Sequence, residues 1–174
     1  MWKSLIRCSI AGGIVVFLWS MLSWMVLPMH RMMMNQFTEP SQVSSTITRY
    51  APKDGIYVIP GMEAREQGSK QTSIFVNVRR DVDSGSMIRQ MVIGLISQMI
   101  GAFLITYMLL HCKMMRYWNR VGFVTIAGVL VAILGILPAG IWWHFPLGPV
   151  SLEVLDMVSS WFIGGLVIAK LVKN

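Results

Sequence analysis

Long apolar runs without charge are the feature of this chain that most restricts its fold. Residues 8–29, 90–112 and 121–152 contain no Asp, Glu, Lys or Arg, and residues 152–172 form a further run with charges only near its ends. An α-helix needs about 20 apolar residues to cross the hydrocarbon core of a bilayer. Only 13% of all residues are charged, whereas soluble domains have about 25%. The sequence therefore predicts an integral membrane protein.

Prolines and glycines divide these runs into four predicted membrane-spanning helices. The first helix is predicted over about 5–27 and is ended by Pro28; it is read as an uncleaved anchor, because it is too long for an ordinary signal peptide and no A-x-A pattern follows it. The 121–152 run is too long for one span, and Pro138, Pro146 and Pro149 interrupt its second half. The predicted division is helix 1 in 1–28, an outer segment over 29–86, and helices 2 to 4 at about 87–112, 121–142 and 152–172.

The positions of the basic residues predict the orientation of the four helices. Lys and Arg cluster before helix 1, between helices 2 and 3, and after helix 4, at Lys3, Arg7, Lys113, Arg116, Arg120, Lys170 and Lys173. Basic residues in short loops mark the cytoplasmic side, so both termini are predicted to be cytoplasmic and residues 29–86 to lie outside. The net charge of +7 does not indicate nucleic-acid binding, because these residues flank apolar runs and form no continuous basic face.

The outer segment has the pattern of a short helix followed by a β-hairpin. Glu39-Pro40 is typical of a helix start, and Val43, Ile47 and Tyr50 then fall on one helical face. Residues 56–59 and 72–78 have the apolar character of two strands. The predicted fold class is an all-α membrane protein: a four-transmembrane-helix bundle with a small extracytoplasmic helix-plus-β-hairpin insertion between helices 1 and 2.

A cluster of methionines with one histidine follows helix 1. Thioether and imidazole groups are ligands that suit Cu(I), so this 29–34 cluster is a candidate metal site, with a further histidine from the loop after helix 3. The alternative is that the cluster reflects a general use of methionine, since the chain contains 15 of them. The candidate ligands are Met29, His30, Met32, Met33 and His144.

Two acidic residues, Glu153 and Asp156, fall in the first turns of predicted helix 4. Their spacing of three places them on one helical face. Acidic groups inside a membrane mark candidate functional sites, where they relay protons or bind a cation, and Arg89 or His144 is a possible partner. The alternative is a structural role, because carboxylates stabilise a helix N-terminus.

Small residues recur four apart within the predicted membrane helices, a spacing that lets helices approach closely. This pattern predicts either a compact bundle or association with a protein partner or another copy of the chain. No sequence pattern of a hydrolase, a nucleotide-binding loop or a zinc protease is present, so the sequence predicts no catalytic residue and no cofactor. The pairs are Ser97 with Gly101, Gly128 with Ala132, Ser160 with Gly164, and Gly165 with Ala169.

Several short motifs resemble those of a family of small four-helix bacterial inner-membrane proteins to which no activity is assigned. The resemblance covers most of the chain and implies a four-span protein of the bacterial inner membrane, but no catalytic residue. The motifs are Gly12-Gly13, the segments 24–30 and 37–43, Gly55 to Pro60, Trp142 to Pro146, and Asp156 with Trp161 to Gly165.

These observations lead to two hypotheses for the function. The first is a non-enzymatic accessory, assembly or interaction subunit whose surroundings are the lipid bilayer and a protein partner or further copies of itself. The alternative is a small oligomeric transporter, or an ion- or metal-handling protein, that uses Glu153 and Asp156 or the 29–34 cluster. Four helices are few for a transport pathway within one chain, so the alternative requires an oligomer.

Overall fold

The computed structural model describes residues 2–61, 72–80, 82, 85–112 and 116–172. The chain forms two compact units: a bundle, Met1–Met34 with Met87–Asn174, and a small unit, Asn35–Ser86. The elements in chain order are α1 (Trp2–Met21), α2 (Met29–Met32), α3 (Pro40–Tyr50), β1 (Gly55–Ile59), β2 (Ile74–Val78), α4 (Ser86–His111), α5 (Tyr117–Val131), α6 (Leu137–Trp143) and α7 (Leu147–Leu171). One π-helical turn extends α1 through Val26, and another joins α5 to α6.

Among the described residues, four continuous helices are long and apolar enough to cross a membrane, which confirms the number predicted from the sequence. They are Trp2–Val26, Ser86–His111, Tyr117–Trp143 and Leu147–Leu171. The last begins five residues earlier than predicted, because Pro149 falls in its first turn, where a helix needs no N–H donor. The third begins at Tyr117 rather than at residue 121, so its first turn contains Arg120.

The π-helical turns occur next to prolines. In the first, Leu22–Val26, the Leu27 N–H donates to the Leu22 carbonyl at 2.9 Å before Pro28 ends the helix. In the second, Ala132–Ile136, the chain passes directly into α6, whose second residue is Pro138. A proline removes one backbone donor and crowds the preceding turn. A π-helical turn is a common way for a helix to absorb such a disturbance, so the helix continues to Trp143.

The bundle is held together by glycines that allow close contact between helices. A Cβ atom added at Gly13 of α1 would lie 2.5 Å from the Met99 Cα of α4, and one at Gly164 of α7 would lie 2.6 Å from the Val16 side chain. Trp161 of α7 is the largest side chain in this core; it is only 5% exposed and belongs to the same buried apolar cluster as Val16. These contacts join α1, α4, α5 and α7.

Two side chains at the start of α5 hold the C-terminal end of α7. Arg120 donates from Nη1 to the Val172 carbonyl at 2.6 Å and to that of Ala169 at 3.5 Å. The Tyr117 hydroxyl donates to the Leu166 carbonyl at 3.1 Å. The last carbonyls of a helix have no partner within it and carry partial negative charge. Arg120 therefore supplies both a donor and a positive charge at this helix end.

The small unit consists of α3 and the predicted hairpin, which is present. β1 and β2 are antiparallel, with Gly55 opposite Val78 and Ile59 opposite Ile74. Arg80, directly after the hairpin, donates to the carbonyls of Thr48, Ala51 and Pro52 at the end of α3. The sequence did not single out Arg80, because a helix end and an arginine 30 positions later are connected only by the tertiary fold.

Candidate functional site

Asp156 of α7 is the centre of a buried polar cluster within the bundle. The Trp19 indole N–H of α1 donates to Asp156 Oδ1 at 2.8 Å, and His30 Nε2 of α2 lies 3.6 Å from Asp156 Oδ2. The side chains of His30 and Asp156 are 5% and 11% exposed. A carboxylate so enclosed by apolar helices needs partners, and these two side chains provide them.

His30 is fixed by three neighbours. Its Nε2 atom lies 3.1 Å from Ser23 Oγ, within hydrogen-bond distance, and its ring stacks on Trp24 with a centroid distance of 4.0 Å and an angle of 15°. Asp156 is the third neighbour. The short helix α2 is thereby attached both to the end of α1 and to α7.

A cleft of about 320 Å³ opens beside this cluster, between α1, α4, the second π-helical turn and α7. Both acidic residues of predicted helix 4 line it, and none of the described residues that line it is Lys or Arg. Glu153 is exposed, whereas Asp156 is largely buried. The other polar or aromatic lining residues are Ser20, Trp24, Gln98 and Ser160.

The hydrogen bonds of the cleft residues determine what the cleft offers to a ligand. Ser20 donates its hydroxyl proton to the Val16 carbonyl at 3.1 Å, and Ser160 donates to the Asp156 carbonyl at 2.8 Å. Their oxygens therefore keep only acceptor capacity towards the cleft. Within the part of the chain that is described, the side chains of Glu153 and Gln98 have no hydrogen bond or ion pair. The cleft thus offers a ligand mainly hydrogen-bond acceptors, from two carboxyl groups and two serine oxygens.

Of the acidic pair, only the Asp156 carboxyl group has partners among the described residues, and they are not Arg89 or His144, which the sequence hypothesis considered. His30 and Trp19 contact Asp156 instead. Both lie more than 120 positions away along the chain, and no sequence pattern connects residues at such a separation. Trp19 and Ser23 were therefore missed as site residues. The position of Gln98 near the middle of a membrane helix predicts a hydrogen bond across helices, but within the described chain its side chain lines the cleft and makes no hydrogen bond.

The methionines of the 29–34 cluster are exposed, unlike His30, which is buried against Asp156 and Ser23. His144 ends α6 in the left-handed conformation, with φ of 57°, and is exposed. Over the described ranges no three His, Cys, Asp or Glu side chains come together as a metal-binding group. Copper binding by thioethers stays a prediction. The exposed candidate methionines are Met29, Met32 and Met33, and Met34 beside them is exposed as well.

The small residues predicted for helix packing occupy several environments. Gly101 and Gly128 both lie under the Trp161 side chain, where an added Cβ would come within 3.1 Å of the ring at Gly101 and, at Gly128, within 3.0 Å of the ring and 2.6 Å of the Trp161 Cβ. Ala132 and Ser160 are buried, and Gly164 contacts Val16. Ser97 is exposed, and its hydroxyl donates to the Ile93 carbonyl within its own helix.

Comparison of the chain with protein-family models, with curated protein sequences and with solved structures gave no match. The fold is that of a multi-pass membrane protein: the described residues form four helices able to span a membrane and a small unit of one helix and a β-hairpin. Function must be inferred from the surfaces and sites of these two units.

Proposed function

We propose that this chain is a non-enzymatic accessory, assembly or interaction subunit of the bacterial inner (cytoplasmic) membrane. In this proposal both termini are cytoplasmic and the small unit lies outside. The distribution of Lys and Arg supports the orientation, since the loop from Trp142 to Ser151 contains neither. The motif resemblance supports the bacterial inner membrane.

A groove of about 430 Å³ in the small unit carries the interaction proposal. It lies between α3 and the hairpin, and its lining is largely apolar. Tyr50, Ile59 and Ile74 line it and remain exposed. Contiguous exposed apolar surface in a folded unit is typical of a protein-binding site.

The occupant that fits this groove is an apolar segment of a protein partner, either another membrane protein or a second copy of the chain. Such a segment would place an apolar side chain between α3 and β1, where Tyr50 offers an aromatic anchor of the kind that dominates binding energy. The aromatic anchor and apolar walls favour a protein over a nucleic acid, which would require a basic surface.

Replacing Ile59 by asparagine is expected to weaken partner binding about tenfold, because losing roughly 1.4 kcal/mol of apolar contact corresponds to that factor. Ile56→Asn is the matched control: Ile56 lies on the same strand, is 64% exposed against 55% for Ile59, and does not line the groove. The measurement is quantitative co-purification in mild detergent, with the mass of the complex distinguishing a second protein from self-association. A strictly monomeric protein, or equal recovery with both variants, would contradict the proposal.

A second candidate function is cation handling by an oligomer, and the acidic cleft favours it. Two carboxyl groups share a cleft with an amide, Gln98, that has no hydrogen bond within the described chain. Intramembrane acids are costly and commonly belong to proton or cation pathways. His30 and Trp19 hold one of the two acids, Asp156, and leave the other, Glu153, accessible.

The double variant Glu153→Gln with Asp156→Asn is expected to abolish proton flux through the protein. It removes both ionisable groups of the cleft while conserving side-chain size. The measurement uses liposomes that contain the purified protein and a pH-sensitive dye, with an imposed proton gradient and an ionophore to compensate charge. Ser97→Ala is the control, since Ser97 is exposed and lies outside the cleft. Flux unaltered by the double variant would rule out this function.

A further inference from the structure

We propose that the cleft between α1, α4 and α7 binds a small organic molecule with a primary ammonium group. This inference rests on the second candidate function and names its substrate class. It depends on three properties of the cleft: the sign of its charge, the direction of its hydrogen bonds and its apolar walls.

The charge of the cleft favours a cation. Glu153 and Asp156 both line it, and among the described lining residues there is no Lys or Arg. His30, a basic group beside the cleft, carries charge only when protonated and contacts Asp156 rather than Glu153. Glu153 is therefore without a positive neighbour in the described chain, and an ammonium group would supply one.

The hydrogen-bond capacity of the cleft selects an ammonium group that carries N–H donors. Two carboxylates accept hydrogen bonds, and the Ser20 and Ser160 oxygens can only accept, because each hydroxyl proton already goes to a backbone carbonyl. A primary ammonium group offers three N–H donors and forms charge-assisted bonds with carboxylates. A quaternary ammonium group has the same charge but no donor, so it leaves these acceptors unsatisfied.

The size and walls of the cleft indicate an organic molecule rather than a bare metal ion. A volume of about 320 Å³ lies within the range of small-molecule sites. Val16, Ile136 and Met157 provide apolar wall, and Trp24 provides an aromatic one. An alkyl or aryl group beside the ammonium would contact these side chains, and removing its apolar surface from water would contribute binding free energy.

The test is calorimetric titration of the purified full-length protein in detergent at neutral pH, with the detergent blank subtracted. The probe is 2-phenylethylammonium, and the matched control is its N,N,N-trimethyl analogue, which has the same charge and ring but no N–H. Saturable binding of the primary amine, at least about ten times tighter than that of the analogue, is expected. Glu153→Gln is expected to weaken it at least tenfold, since a charge-assisted bond is lost, whereas Ser97→Ala leaves it unchanged.

Equal affinity for the two amines, equal affinity of the Glu153→Gln variant, or no saturable binding would overturn the inference. Glu153 is exposed, so its replacement by an isosteric amide leaves the fold intact, which the melting temperature checks. Proton flux that is lost in the Glu153→Gln, Asp156→Asn double variant, without amine binding, would reject this inference while supporting the second candidate function. Amine binding without any proton flux would support the site and reject proton transport.

Discussion

Replacing Trp161 by alanine is expected to lower the free energy of unfolding of the bundle by about 3 kcal/mol or more, the range for removing a large buried aromatic side chain. The ring fills the space above two glycines, Gly101 and Gly128, whose lack of a side chain is what admits it. Alanine would leave a cavity that these glycines cannot fill. In a bilayer, packing contacts of this kind are the main attraction between helices.

Phe162→Ala is the matched control for the tryptophan variant, because Phe162 is the next residue on α7 and is 42% exposed. Both variants can be compared by reversible unfolding in mixed detergent micelles, followed by circular dichroism. The phenylalanine variant is expected to change the free energy of unfolding by less than about 1 kcal/mol. Equal destabilisation by the two variants would show that the ring above the glycines is not a centre of packing.

Replacing Gly13 by alanine is expected to destabilise the bundle by about 2–3 kcal/mol, the upper part of the range for overpacking. The added methyl group would lie 2.5 Å from the Met99 Cα and 2.7 Å from its backbone nitrogen. Backbone atoms cannot rotate away as a flexible side chain does, so α1 and α4 must separate. Their separation would also widen the cleft, since Gln98 precedes Met99.

Gly122→Ala provides the control for this variant, because an added Cβ there meets nothing within 4 Å. Alanine has the higher helix propensity by about 1 kcal/mol, so this control is expected to be neutral or slightly stabilising. Thermal unfolding in detergent measures both variants. A Gly13→Ala protein as stable as the Gly122→Ala protein would mean that α1 and α4 are not in close contact at this position.

The four spanning helices could be predicted because hydrophobic length is a local property of the sequence. The hairpin could be predicted because alternation in residues 72–78 and the glycine that begins β1, Gly55, are also local. The helix ends were predicted less accurately. The loop predicted before residue 152 is helix from Leu147 onward, because Gly148 and Pro149 are compatible with the first turn of a helix.

The sequence indicated only some of the residues of the candidate site. Glu153 and Asp156 stood out because acids are rare in apolar helices, and His30 stood out as a possible metal ligand. That His30 lies beside Asp156 depends on the packing of α1 and α2 against α7, which glycine contacts set. Trp19 gave no separate signal, since a tryptophan near a helix end is equally typical of a membrane interface.

The two π-helical turns have a consequence for the evolution of the cleft. Each contributes one wall residue, Trp24 in the first and Ile136 in the second. A π-helical turn is in effect an α-helical turn that has absorbed one inserted residue, so deleting that residue would restore regular α-helix and redirect the side chains of that turn. In a related chain, one-residue length differences at these two positions would therefore mark a cleft of different shape, even where every residue around it were the same.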